Sequence, residues 1–143
     1  MTQVDFYVID DDVKHGAEKF ACKLTEKIYK QGYSVYIHTE DDKQSARMDD
    51  LLWTFRQGSF IPHARAENTP DENIKVIIGA NDQLQCKGEV LINLASEIPA
   101  SYQKFSRIAE LVVKEPQRKA SAREHYRYYR DQGCAVASHQ VSR

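Results

Sequence analysis

Five short apolar runs constrain what this chain can fold into more than any motif does: VDFYVID (Val4 to Asp10), YSVYIHT (Tyr33 to Thr39), IKVIIG (Ile74 to Gly79), EVLINLA (Glu89 to Ala95) and RIAELVV (Arg107 to Val113). Each has strand length and is rich in β-branched and aromatic residues, and nearly continuous apolar runs of this kind suit strands buried on both faces. Between the first two, Ala17, Phe20, Ala21, Leu24 and Ile28 recur at helical spacing, and Gly32 provides a stop. After the second run, Thr39 can cap a helix from about Glu40 to Phe55 that turns Met48, Leu51, Leu52 and Phe55 inward. A short helix is expected around SEIPASYQKF, and a last helix follows RIAELVV and ends the fold. Strands alternating with helices predict an α/β domain with a largely parallel sheet. SFIPH (Ser59 to His63) offers a short edge segment, where Pro62 is tolerated. The polar stretch ARAENTPDEN (Ala64 to Asn73) is expected to be a flexible loop within one unit, so residues 1–143 form a single domain.

The chemistry expected of a parallel α/β sheet is nucleotide binding, and the residues for it are missing. Where a dinucleotide site needs G-x-G-x-x-G after the first strand, the chain has DDDVKHG, and no GK[ST] phosphate loop occurs. Asp10 and Asp12 could hold Mg²⁺ at a strand end and imitate the D-x-D of haloacid-dehalogenase-like phosphatases, but Lys14 stands where that motif continues with Thr or Val. A turn in which one aspartate caps the following helix is the simpler expectation. The five histidines lack zinc-pair spacing and no G-x-S-x-G elbow is present, so no catalytic residue, metal or cofactor is expected. Cys22, Cys86 and Cys134 form no C-x-x-C and are odd in number, which suits a reducing compartment. With no signal-like start and no apolar run of spanning length, the expected location is the cytoplasm.

Two stretches carry interaction chemistry. In RKASAREHYRYYRDQG (Arg118 to Gly133), at about 100° per residue from Lys119, Arg130 lies near 20°, Arg123 near 40°, Arg127 near 80° and Tyr126 near −20°. Ala122, His125, Tyr128 and Tyr129 fall on the other side, able to rest on a protein body. Pro116 suits the first turn and Gly133 the position past the end. Only Glu124 and Asp131 accompany the five basic residues from Arg118 to Arg130, so the stripe suits an acidic partner, either phosphates or a carboxylate-bearing peptide. Against 20 basic residues stand 21 acidic ones, many in the first half, so nucleic acid gripped over the whole surface is excluded and any such contact must be local. The second stretch, LLWTFRQGSFIPHARA, gathers Trp53, Phe55, Phe60, Ile61 and Pro62 around a turn at Gln57-Gly58. Core packing accounts for each residue singly, and a partner-binding hot spot accounts for the cluster.

DFYVID, LW followed by SFIPH, and AREHYRYYRDQG, in this order and spacing, resemble the chi-subunit family of bacterial DNA polymerase III holoenzyme over nearly the whole chain. The resemblance implies a Rossmann-like three-layer fold without nucleotide chemistry. It also implies a non-catalytic subunit that pairs with the psi subunit of the clamp-loader complex and binds the acidic C-terminal tail of single-stranded DNA-binding protein, meeting DNA only indirectly. The family's tail-binding residues match Lys119, Arg123, Tyr126 and Arg127, with Arg130 a further basic match. Phe60 corresponds to a psi-contacting phenylalanine, and Trp53, Phe55, Ile61 and Pro62 join that interface by proximity. The ending after Gly133, CAVASHQVSR, departs from the family pattern, so nothing is carried onto it. The reading from another class, a small Mg²⁺-dependent phosphate-handling enzyme, would rest on Asp10 and Asp12.

Overall fold

A computed structural model describes residues 2–9, 15–55, 60–66, 73–80, 89–100, 102–113 and 116–141. The strands are β1 (Gln3–Ile9), β2 (Val35–His38), β3 (His63–Arg65), β4 (Val76–Gly79), β5 (Val90–Asn93), β6 (Arg107–Val113) and β7 (Ala135–Val141). The helices are α1 (Gly16–Lys30), α2 (Asp42–Thr54) and α3 (Pro116–Asp131), with a 3-10 turn at Tyr102–Lys104. All seven strands join one sheet in the order β3-β4-β2-β5-β6-β1-β7, and every described pairing is parallel.

Strand alternation divides the core between two faces. On one face Ile9, Ile37, Ile78 and Ile92 meet Ala21 and Cys22 of α1 and Met48 and Leu52 of α2. On the other, Val4, Phe6, Tyr36, Leu91 and Ile108 meet Tyr102, Phe105 and Tyr129 of α3. This is the three-layer α/β arrangement, and it explains why every residue of β2, β4 and β5 is buried. Cys22 lies deep enough that burial, aided by Glu18, pushes its thiol up to about 12, so it packs as a small apolar group.

Both α1 and α3 end in the same way. Gly32 (φ 92°) and Gly133 (φ 86°) adopt the left-handed conformation that favours glycine. Their N–H groups donate to Tyr29 and Arg130, and the next N–H groups, of Tyr33 and Cys134, donate to Ile28 and Tyr129. These paired bonds satisfy carbonyls that a helix end otherwise leaves open.

Three expectations need correction. The cap of α2 is Asp41, whose carboxylate accepts from the Gln44 N–H at 2.9 Å, while Thr39 is buried with its hydroxyl 2.6 Å from Ser45 Oγ. Asp41→Ala should therefore cost about 1 kcal/mol of stability in a denaturant titration, and an unchanged midpoint would refute the cap. The edge segment near Pro62 is real but begins at His63 and takes in Ala64 and Arg65, which were expected in the flexible loop. Finally, the basic helix does not end the fold. Beyond Gly133 the chain forms β7, pairing with β1 from Gln3↔Ala135 to Ile9↔Val141. Its small and polar residues and half-exposed edge position hid it from any search for apolar runs.

Candidate functional site

The core-facing side of α3 is set by Tyr129, fully buried, with Ala122, His125 and Tyr126 half-buried around it. That leaves Lys119, Arg123, Arg127 and Arg130 exposed along the opposite side. Among the described residues, Lys119, Arg123 and Arg127 make no ion pair, and Arg130 approaches only its neighbour Asp131, at 3.9 Å. Glu124, the available local partner, pairs with none of them. Three cations with no counter-charge among the described residues repel one another, so the stripe attracts a diffusing anion.

Tyr126 occupies the seam between this stripe and the core, its ring 5.5 Å from that of Phe6. One part of the ring is therefore fixed by packing, and its exposed remainder lies beside the arginines. Tyr128, expected against the body, is 42% exposed, because at the margin of the inward stripe its ring meets only edges of Tyr102 and Tyr129 among the described residues, its hydroxyl 3.4 Å from that of Tyr102. Burial and the Glu110 charge both raise the Tyr129 hydroxyl far above the ordinary tyrosine value, so it stays a donor.

The aromatic cluster divides between surface and interior. Trp53, on the last turn of α2, is 50% exposed, Phe60 is 67% exposed, and their ring centroids are 5.5 Å apart. Beneath them His63 is buried 4.5 Å from the Trp53 ring, with Nδ1 2.7 Å from the Ile61 carbonyl oxygen and Nε2 3.1 Å from that of Asp49. The rigid imidazole gives the exposed pair a floor. Ile61 is 2% exposed and belongs to the core, so no partner reaches it on the folded surface, and Phe55 and Pro62 are half-buried. Adjacency in sequence put Ile61 with the interface, whereas successive side chains in extended backbone point to opposite sides. The turn at Gln57-Gly58 lies outside the described residues, as do Asp10 and Asp12.

The two surfaces are far apart. Trp53 and Phe60 stand beside β3, at one edge of the sheet, whereas α3 packs on β6 and β7 at the opposite edge and on the opposite face. Six strand spacings of about 4.8 Å separate β3 from β7.

One polar constellation escaped the sequence reading. Glu110 of β6 and Asn93 of β5 are buried beneath α3, where Glu110 Oε2 accepts from the Tyr129 hydroxyl at 2.6 Å and from Asn93 Nδ2 at 2.9 Å, and Oε1 lies 3.3 Å from His125 Nδ1. The available signal was a carboxylate on the core-facing side of RIAELVV, in step with Ile108 and Val112. Among the described residues, no group of three or more His, Cys, Asp or Glu could hold a metal ion, and no helix is long and apolar enough to cross a membrane.

The chain matches the family model described as DNA polymerase III chi subunit over residues 1–137. It is 41% identical to DNA polymerase III subunit chi of Pseudomonas aeruginosa over 143 residues, covering 100% of this chain and 99% of that protein. The corresponding subunit of Haemophilus influenzae is 30% identical over 138 residues, 95% of either chain, and that of Escherichia coli 29% over 138 residues, 93% of this chain and 94% of the other. Matches of this extent, spanning all three helices and nearly the whole sheet of this chain, show that the chain belongs to the DNA polymerase III chi subunit family.

Proposed function

We propose that this chain is a non-catalytic accessory subunit of DNA polymerase III, acting in the cytoplasm as a single-domain adaptor without a cofactor. It joins the psi subunit of the clamp loader to the acidic C-terminal tail of single-stranded DNA-binding protein. The observation that carries the reading is the exposed stripe of Lys119, Arg123 and Arg127, without ion-pair partners among the described residues, on a helix anchored by buried Tyr129. Arginine forks suit a carboxylate, and the stem of Lys119 with the free part of Tyr126 suits an aromatic ring at the peptide's end. Titrating a peptide of several aspartates that ends in phenylalanine, as free acid and as C-terminal amide, tests this directly. The free acid should bind far better than the amide and than a single-stranded oligonucleotide. An oligonucleotide held as tightly as the peptide would instead make α3 a phosphate-binding surface.

For psi, the Trp53–Phe60 pair offers the aromatic anchor that interfaces concentrate their energy on. Phe60→Ala should weaken psi binding by about 2 kcal/mol or more while the fold survives, because the ring is 67% exposed. Trp53 is the chain's only tryptophan, so its fluorescence reports docking beside Phe60. Unchanged psi affinity in the mutant would dismiss this surface as the interface.

A further inference from the structure

Glu110 holds a core-facing position on β6 and is only 3% exposed. A carboxylate so deep needs hydrogen-bonding or charged partners to offset its lost hydration. Tyr129 and Asn93 supply neutral donors, and among the described residues His125 is the contacting group able to carry a positive charge. Its Nδ1 faces the Glu110 carboxylate, an acceptor, at 3.3 Å. Burial pulls its pKa down, but the Glu110 hydrogen bond and charge, the Ser96 backbone and the Glu124 charge outweigh that and raise it above the ordinary histidine value.

The other charges around the ring do not take over this role. Arg118, in the first turn of α3, lines the same shallow cleft as His125, Ser121 and Ser96, but it faces Glu40. Glu40 in turn accepts from the Ser96 N–H at 2.8 Å and from Ser96 Oγ at 2.7 Å. Tyr129 keeps its proton.

We propose that Glu110 and His125 form a proton-controlled clamp that positions α3 for peptide binding: with His125 protonated the helix is seated on the sheet, and proton loss leaves Glu110 with only its neutral donors, Tyr129 and Asn93, among the described residues. The peptide-binding half of this inference rests on the reading of the basic face given above. His125 holds its proton to higher pH in the folded chain than in the unfolded one. The stabilisation is therefore complete below about 6.5 and is lost as pH rises through the folded value.

The test measures hydrogen exchange of α3 amides, corrected for intrinsic rates, and affinity for the aspartate-phenylalanine peptide at pH 6 and pH 8.5. In the wild type, protection and affinity should fall together, by about threefold to tenfold. His125→Gln should be flat and weakly protected at both values, and His125→Arg, a permanent cation, flat and well protected. Wild-type protection that does not change with pH, or a His125→Gln profile matching the wild type, overturns the clamp. If α3 protection responds as expected but no peptide binds at either pH, the clamp stands as a structural device and the peptide reading is what fails.

Discussion

A chain ending at Gly133 is expected to lose roughly 3 to 5 kcal/mol of stability, enough to leave a typical domain barely folded. The deletion removes β7 and so the whole pairing from Gln3↔Ala135 to Ile9↔Val141, exposing the edge of β1. It also uncovers the apolar faces on which Val136 and Val141 pack. A third cost is electrostatic. Asp5 is 5% exposed and sits 2.9 Å from His139 Nε2, while its other side-chain donors, Arg107 and Gln3, are each 3.5 Å away and the Arg107 side chain lies largely in solvent. Removing His139, whose ring also stacks on Tyr7 at 5.0 Å, leaves a buried carboxylate poorly satisfied. Urea denaturation of the truncated chain measures the loss, and a midpoint equal to that of the full chain would make β7 a dispensable decoration.

Arg123→Ala and Arg127→Ala should each weaken tail-peptide binding by roughly 1.5 to 3 kcal/mol, because charge-assisted bonds to a carboxylate depend on the guanidinium fork. Lys119→Ala should cost less, since an ammonium acts as a point charge. Stability should move by no more than about 0.5 kcal/mol in any of the three, the side chains being exposed and without ion-pair partners among the described residues. Added salt should weaken the wild-type complex, as exposed contacts are screened over about 10 Å at 0.1 M. Psi affinity should not change, because the Trp53–Phe60 pair lies at the other edge of the sheet. If both arginine variants bind the peptide as the wild type does, the stripe is a solvated surface.

By itself the sequence determined the elements whose residues announce their own environment. β2, β4 and β5 are buried on both faces and therefore appear as unbroken apolar runs. The start of α3 at Pro116 and its stop at Gly133 are local backbone chemistry, and the angles of Lys119, Arg123, Arg127 and Arg130 follow from helical geometry alone. Tertiary structure decided what depends on distant partners. β7 has too little apolar character to declare itself and is a strand because β1 offers an open row of hydrogen-bonding groups. Thr39 yields the capping role to Asp41 because its hydroxyl is taken up by Ser45 in the core. Ile61 and Phe60 are neighbours of similar hydrophobicity, yet one is 2% and the other 67% exposed, since only the sheet's position tells the two sides of that segment apart. Glu110 and His125 stand 15 residues apart with nothing local to link them. They meet because α3 crosses back over β6, which sets the imidazole 3.3 Å from the buried carboxylate.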